Sequence, residues 1–273
     1  MSRWNSLYEH VKVLTSGGRV RPATIVARTD ADHVTVRIGH GTPFAAVVEI
    51  VNGKRRLKEG SGTVTVTGGT ITTVGSYTVH TFTANGTLAV TGGSKTVDYF
   101  ILGGGGGGGS ANFAGGGAGQ ATAYTSQSLA AGSYAITIGG GGAVDTNGTA
   151  TTLGAVRTGT AGLAGASGAG GASGNGFAGG ASDHSFPVDT GGGGGGATAA
   201  GSGANGGASI VNAYRLASEV FAGGGGGYIY DIEFDTPVGY GVHGGGNSAN
   251  HGGGGNGNGF AGNSGILIVR YLT

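Results

Sequence analysis

The stretch VDYFILGGGGGGGSANFAGGGAG, Val97 to Gly119, decides the fold of this chain. Six residues with the pattern of a buried β-strand lead directly into seven consecutive glycines. Glycine loses more backbone freedom on folding than any other residue, and it contributes no side chain to a core. If these glycines are ordered, the backbone itself must therefore hold them in place.

The composition separates an ordered chain from the alternatives. Glycine supplies 69 of the 273 residues, of which 13 lie in residues 1–102 and 56 in the remaining 171. The glycine-rich part lacks a Gly-X-Y period and contains only Pro187 and Pro237, which excludes a collagen triple helix. Apolar strands such as SYAITI and ILIVRY interrupt the runs, and only 10% of the residues are charged. Both features argue against disorder.

Glycine runs can adopt the extended polyproline II helix, which makes no internal hydrogen bonds. Because every buried backbone group needs a partner, such helices can satisfy one another when they lie side by side. The runs are Gly103–Gly109, Gly115–Gly117, Gly139–Gly142, Gly191–Gly196, Gly223–Gly227, Gly244–Gly246 and Gly252–Gly255. Strands at 97–102 and 266–271 bracket them, so we expect a β-sandwich that encloses a polyglycine II lattice and displays loops at the lattice ends. The recurring Phe-Ala-Gly tripeptide, at Phe113, Phe177, Phe221 and Phe260, is expected to supply rings to bury.

Residues 1–60 read as a separate basic module, with ten Lys/Arg against five Asp/Glu, whereas residues 61–273 have four against eight. A capping box at Ser6 and Glu9 and an apolar stripe predict a helix over residues 1–17. That stripe consists of Trp4, Leu7, Tyr8, Val11 and Leu14. The following segments predict strands, with Asn52-Gly53 as a hairpin turn. The expected fold class is all-β, with a small β-barrel-like module at 1–60 and the sandwich with its lattice at 61–273.

Several classes of protein are disfavoured. The chain has no cysteine, so it has neither disulfides nor a thiolate metal site. We expect no signal peptide, no membrane insertion and synthesis in a host cytoplasm. The glycine runs are not phosphate loops, because no Gly-Lys-Ser/Thr follows any of them. They do not resemble Arg-Gly nucleic-acid-binding tails either, since only four Lys/Arg lie beyond residue 60.

The segment HTFTANGTLAVTGGSKTVDYFILGGGGGGG, followed far downstream by GNSGILIVRY, resembles the glycine-rich domain of many tailed-phage tail proteins. The alternation of glycine runs with variable aromatic segments also resembles the tail-fibre-tip adhesins of T-even-like phages. In those adhesins the glycine helices stack into a sandwich, and the loops between them contact the bacterial surface. The resemblance covers about residues 76–273 and implies the same role for the loops of this chain. It includes no counterpart of residues 1–60.

The positions that match the adhesin loops are the segments between the glycine runs. Aromatic rings there offer a large contact area to a saccharide or a protein. The predicted receptor-binding residues are His184, Phe186, Tyr214, Tyr228, Tyr230, Phe234, Tyr240, His243 and His251. In the competing interpretation, these rings only cover the ends of the lattice.

Three features suggest chemistry that we do not favour. The segment YIYDIEFD alternates as a strand and places three acidic residues on one face. These carboxylates could hold Ca²⁺, but no Asp-rich loop with ligand spacing accompanies them. We therefore interpret them as a solvated strand face. The segment Asp183-His184-Ser185 contains the three residue types of a hydrolytic triad, but triads are assembled from distant positions in the chain. His243 and His251 are read as loop histidines, not as metal ligands. We therefore expect no enzyme, cofactor or metal.

The resemblance implies a structural protein of a phage virion, a tail fibre or minor tail protein whose loops adhere to a bacterial surface polysaccharide or outer protein. The alternative is a capsid head fibre or decoration protein with no specific receptor. The basic hairpin GKRRLKEG could contact nucleic acid, but we favour docking onto other virion proteins. The predicted docking residues are Trp4, Lys54, Arg55, Arg56 and Lys58. Fibre symmetry suggests a homotrimer.

Overall fold

The computed structural model describes residues 10–14, 19–28, 33–38, 44–51, 54–59, 64–110, 113–166, 168–216, 218–241 and 249–273. All regular elements in these residues are β-strands, as the composition and patterning predicted. The chain divides into two compact units: Met1–Thr67 with Ala89–Lys95 and Ser128–Ser133, and Gly68–Leu88 with Thr96–Gln127 and Tyr134–Thr273. The predicted division at residues 60 and 61 stays a prediction.

The first strands form a small closed barrel. They are β1 (His10–Leu14), β2 (Val20–Arg28), β3 (His33–Arg37), β4 (Phe44–Val51) and β5 (Lys54–Glu59). Consecutive strands pair antiparallel, and β1 pairs in parallel with β5 through Val13 and Leu57, which closes the ring. Val51 pairs with Lys54, so only the two residues of the predicted Asn-Gly turn separate β4 from β5. Those two residues lie outside the described part.

The predicted helix at residues 1–17 is wrong where the structure describes it. Val11 and Leu14 belong to strand β1, whereas residues 1–9 and 15–17 lie outside the described residues. Val13 is fully buried, and β1 has a strand partner on each side. Two backbone ladders thus outweigh the helical spacing of a few apolar side chains.

The remaining described strands belong to the glycine-rich part. In chain order they are β6 (Thr65–Thr67), β7 (Thr70–Val74), β8 (Tyr77–Phe82), β9 (Gly86–Thr91), β10 (Lys95–Leu102), β11 (Ala121–Leu129), β12 (Gly132–Thr137), β13 (Thr151–Leu153), β14 (Arg157–Gly159), β15 (Val188–Thr190), β16 (Ile210–Asn212), β17 (Glu219–Phe221), β18 (Tyr228–Asp231), β19 (Thr236–Tyr240) and β20 (Ile266–Leu272). Two five-stranded sheets, ordered β11-β10-β20-β8-β7 and β14-β13-β12-β9-β6, form a sandwich-like arrangement.

The strands that bracket the glycine runs pair with each other, as predicted. Strand β10 runs antiparallel to β20, with Asp98 opposite Arg270 and Leu102 opposite Ile266. Their side chains are buried over most of this length. The last strand of the chain therefore closes the sheet in which the first glycine run begins.

The described glycine runs form the predicted lattice, whereas Gly244–Gly246 lies outside the described residues. The first run has neighbours on all sides. The N–H groups of Gly104, Gly105 and Gly106 donate to three different neighbouring segments, at Thr149, Asn263 and Gly117. Gly107, Gly108 and Gly109 repeat this order three residues further, at Thr146, Phe260 and Ala114. These distances lie between 2.8 and 3.0 Å. A period of three is that of the polyproline II helix, and the falling partner numbers make these neighbours antiparallel.

The carbonyl groups of the same run accept from three further segments. Gly104 and Gly107 accept from Gly162 and Gly165, and the rising numbers make this neighbour parallel. Gly105 and Gly108 accept in the same way from residues 142 and 145. Gly106 and Gly109 accept from residues 255 and 258. Six segments thus surround one glycine helix, which is hexagonal packing.

Such packing leaves no room for side chains. A Cβ on Gly107 would lie 1.9 Å from the Ala143 carbonyl oxygen, and one on Gly194 would lie 1.8 Å from that of Gly116. Contacts this short require the backbone to move. The glycines are therefore needed for the close approach of one chain segment to another, as at the axis of collagen.

Apolar packing joins the lattice to the sheet that contains β10 and β20. Ala118, Ala197 and Ala222 each adjoin a glycine run and are buried in one cluster with Phe100 and Phe221. The rings of these two phenylalanines lie 4.9 Å apart. Phe113, Phe177 and Phe260 do not join this cluster, and Phe177 and Phe260 are exposed. The expectation that the Phe-Ala-Gly repeats bury their rings is therefore wrong for Phe177 and Phe260.

Candidate functional site

The lattice has two ends: one adjoins the sheets, and the other consists of loops and a small sheet. At the near end Gly103 follows β10 directly, and its N–H donates to Gln120, directly before β11. Gly265, directly before β20, lies at the same end, because a Cβ on it would come 2.0 Å from the Leu102 carbonyl oxygen. The near end is thus the end at which the chain enters and leaves the sheets.

The far end carries connections that turn the chain back into the lattice. Gly109 donates to Ala114, and Tyr228 donates to Phe113, so the loop after Gly109 and the start of β18 lie together. Gly191 is also at this end, since a Cβ on it would come 2.0 Å from the Phe113 carbonyl oxygen. Further connections lie at this end, at residues 143–146, 202–205 and 258–260. Asp145 and Asn258 donate to Gly108 and Gly109 at the end of the first run, and Gly227, directly before Tyr228, donates to Ala204.

A three-stranded sheet, ordered β15-β18-β19, extends from the far end. Strand β15 ends at Thr190, directly before one glycine run, and β18 begins at Tyr228, directly after another. Tyr228 pairs with Tyr240 across β18 and β19. We call this sheet, with the loop at 181–187 and the turn at 232–235, the far-end sheet.

The turn between β18 and β19 corrects the prediction that YIYDIEFD forms one alternating strand. Only Tyr228–Asp231 is a strand, and residues 232–235 form a turn. The Asp231 carboxylate accepts from the backbone N–H groups of Glu233 and Phe234, at 3.0 and 3.1 Å, which stabilises the turn. Asp235 adopts φ of 53° and accepts from the Tyr230 hydroxyl. That hydrogen bond raises the pKa of Tyr230.

The loop at 181–187 brings the Asp183-His184-Ser185 motif to the far end without forming a triad from it. The Ser185 backbone N–H and hydroxyl both donate to Asp183, whereas His184 pairs through Nδ1 with Asp189. The serine and the histidine thus have separate carboxylate partners. The Ile232 N–H donates to the Pro187 carbonyl, which attaches this loop to the β18–β19 turn.

Large apolar side chains of the far-end sheet are exposed. Phe186 and Phe234 are 73% and 69% exposed, and Ile232 and Val238 are 45% and 60% exposed. We call these four side chains the far-end patch. Rings this exposed contribute little to the core, and large exposed apolar side chains that share one small sheet make that sheet a candidate interaction site. Ile232 and Val238 were not among the predicted contacts, and no feature of the sequence distinguishes them from buried strand residues.

Two predicted receptor contacts, Tyr228 and Tyr214, are buried instead, and a third, His251, is partly buried. Tyr228 is 8% exposed, and its ring lies 4.9 Å from that of Phe113. Tyr214 is also 8% exposed and lies at the near end, where it stacks on Arg270. His251, at the near end as well, stacks on Phe221 and pairs with Glu219. The structure therefore separates Tyr214 and His251 from the residues of the far-end sheet.

The structure does not describe the side chains of several predicted site residues. Trp4 and His243 lie outside the described residues. The backbones of Tyr240 and of Lys54, Arg55, Arg56 and Lys58 are described as strand, but their side chains are not. The contacts predicted for these residues stay predictions.

The described residues contain no group of three or more His, Asp or Glu arranged to hold a metal ion. Within the same residues, no helix is long and apolar enough to cross a bilayer.

At the far end, Asp145 accepts from the Ser110 N–H at 2.9 Å and also pairs with the Ser110 hydroxyl. These two hydrogen bonds lower the pKa of Asp145.

Comparison with known proteins identifies one family. The family model for the glycine-rich domain matches residues 80–272, from β8 to the end of β20. No curated protein and no solved structure matches the chain. The matched span begins in the strand beside β20 and contains all of the described lattice. The chain therefore belongs to the glycine-rich domain family.

Proposed function

We propose that this chain is a structural protein of a tailed-phage virion, a tail fibre or minor tail protein, and that its far end adheres to the host surface. The observation that supports this proposal best is the far-end patch. A lattice of backbone hydrogen bonds supports exposed aromatic rings, so the rings need little further ordering when they bind. The resemblance of the strand-glycine-strand pattern to tailed-phage tail proteins supports the virion context.

The proposed role is non-enzymatic. The hydroxyl of Ser185 donates to Asp183 and not to His184, so the most suggestive catalytic motif lacks an activated nucleophile. Residues 1–60 are proposed to dock onto an acidic virion protein, since they carry an excess of five positive charges. The proposed assembly is a homotrimer, which light scattering on the purified chain would test; a monomer would contradict it.

Cell binding tests the adhesion proposal. The purified chain is labelled and titrated onto a panel of bacterial strains, and saturable binding to some strains only is expected. Phe186→Ser with Phe234→Ser should abolish that binding. Val211→Ser with Leu216→Ser is the matched control, because these side chains are 61% and 59% exposed but lie in the loop at 209–221, at the near end. Equal binding by both double variants would contradict adhesion through the far end.

The capsid head fibre or decoration protein remains the second candidate. The burial of Tyr214 and Tyr228 and the packing of the partly buried His251 on Phe221 favour it, because these rings stabilise the fold. This role predicts that the chain binds none of the strains, whereas its removal from the virion alters the particle's shape or stability. Electron microscopy of virions with the chain labelled would distinguish capsid from tail.

A further inference from the structure

Charge is unevenly distributed between the two ends of the glycine-rich part. Residues 61–273 contain four Lys/Arg and eight Asp/Glu. Two of the acidic residues, Asp98 and Glu219, pair with Arg270 and Arg215. The other six carboxylates lie at the far end: Asp145, Asp183, Asp189, Asp231, Glu233 and Asp235.

The four cations all lie elsewhere. Arg270 is in β20, and Lys95 begins β10. Arg157 begins β14 and lies over the ring of Tyr124 in β11. Arg215 lies in the near-end loop, where it pairs with Glu219. Because the sequence has no other Lys or Arg beyond residue 60, the far end carries six carboxylates that no Lys or Arg of this part of the chain accompanies.

Most of these carboxylates are close neighbours, along the chain, of the far-end patch residues. Asp231, Glu233 and Asp235 flank Ile232 and Phe234 along the chain. Asp189 is in β15, three residues after Phe186, and Asp183 is three residues before it. The far-end sheet thus combines exposed apolar side chains with neighbouring carboxylates.

We infer that the far end binds a protein surface that presents Lys or Arg side chains beside apolar groups, and not an anionic polysaccharide. This inference rests on the adhesion function proposed above, because it names the partner class of the same surface. Complementary charge around an apolar centre steers association and fixes orientation. Exposed rings at the centre of such a contact typically carry most of the binding energy. Like charges disfavour a partner rich in phosphate or carboxylate groups.

Direct binding of the full chain to three immobilised probes tests this inference. The first is a peptide of alternating Lys and Leu, the second is the same peptide with every Lys acetylated, and the third is purified lipopolysaccharide. Binding to the first probe should weaken about tenfold on acetylation, and again between low and high salt, because exposed charges are screened. Lipopolysaccharide should not bind, with or without Ca²⁺.

Matched variants assign the binding to the far end. Glu233→Gln with Asp235→Asn removes two charges but keeps an acceptor for Tyr230, and it should weaken binding to the Lys/Leu peptide about fivefold or more. Phe186→Ser with Phe234→Ser should weaken it at least as much. Val211→Ser with Leu216→Ser should leave it unchanged, and all three variants should melt at the same temperature as the parent chain.

Each remaining outcome decides the question. Equal binding to the acetylated peptide, preferential binding to lipopolysaccharide, or no binding to any probe would overturn the inference. Self-association of the chain that the far-end variants abolish would also overturn it, because the partner would then be a second copy. Binding to bacteria without binding to the Lys/Leu peptide would remove this inference but leave adhesion, whereas binding to the peptide without binding to bacteria would do the reverse.

Discussion

The guanidinium carbon of Arg270 lies 3.8 Å from the centroid of the Tyr214 ring. The ring of Tyr77 lies 4.3 Å from the same carbon, and the Asp98 carboxylate is 3.2 Å from Nη2 of the arginine. Tyr214 therefore attaches the near-end loop at 209–221 to the strand that closes the sheet. Cation–π contacts of this kind are worth about 0.5–2 kcal/mol, in addition to the burial of the ring.

Replacing Tyr214 should reveal this structural role. Tyr214→Ala is expected to lower the free energy of unfolding by about 3 kcal/mol, since it removes a buried ring and a cation–π contact. Tyr214→Phe keeps both and should cost less than about 1 kcal/mol. Urea unfolding of the two variants measures the difference. Equal stability of Tyr214→Ala and the parent chain would show that the contact with Arg270 does not hold the loop.

Single alanine substitutions test whether the lattice needs glycine at particular positions. Gly194→Ala places a methyl group 1.8 Å from the Gly116 carbonyl oxygen, so several kcal/mol of stability should be lost. Gly140→Ala is the matched control inside a glycine run, because the closest atom to its Cβ is the Thr149 hydroxyl oxygen at 3.7 Å. That variant should unfold within about 1 kcal/mol of the parent chain. Similar losses for the two variants would contradict the close-packed lattice.

Amide hydrogen exchange tests the lattice without substitution. Each N–H from Gly103 to Gly109 donates to another segment, so the whole run should exchange many times more slowly than a free glycine peptide. The exposed turn at Gly75–Ser76, where the Gly75 Cβ position is open, provides a fast reference in the same spectrum. Exchange of Gly103–Gly109 at the rate of free peptide would mean that the run is not ordered in solution.

The sequence predicted the sheets and the lattice because both leave a pattern in it. Two apolar strands bracket the glycine runs, and Leu102 is indeed paired with Ile266. The sequence could not predict which segments become neighbours, since one glycine run is chemically the same as another. For that reason the far-end position of Phe186 and the near-end position of Tyr214 had to come from the structure.

Local patterns failed where a contact from elsewhere decided the conformation. Val11 and Leu14 fit a helical spacing, whereas Val11 and Val13 fit an extended one, and pairing with β2 and β5 selects the strand. In YIYDIEFD the alternation is genuine, but the Asp231 carboxylate bonds to the N–H groups of the next residues and ends the strand. Aspartate is a recognised turn residue, because its side chain can bond to the backbone two residues further on. In the sequence analysis, the alternation of the surrounding residues outweighed this turn signal.

The last prediction concerns alkaline pH. Burial raises the pKa of Tyr99 and of Tyr214 above their ordinary value of 10.0, so each phenol releases its proton more readily in the unfolded chain than in the folded one. Their contribution to stability is therefore complete below about pH 10 and is lost as the pH rises through the folded pKa values. The unfolding temperature should be steady from about pH 7 to 9.5 and fall above pH 10.

Tyr99→Phe should reduce that alkaline loss. The Tyr99 ring is fully buried, its hydroxyl has no hydrogen-bond partner by geometry among the described residues, and the charge of Arg157 offsets part of the rise in its pKa. Removing the hydroxyl should therefore leave stability at pH 7 unchanged or slightly higher, because an unpaired buried polar group costs free energy. Thermal unfolding followed by circular dichroism, at half-unit steps from pH 7 to 11.5, compares the variant with the parent chain. If the two curves fall in parallel above pH 10, folding does not raise the pKa of Tyr99, and the alkaline loss has another origin.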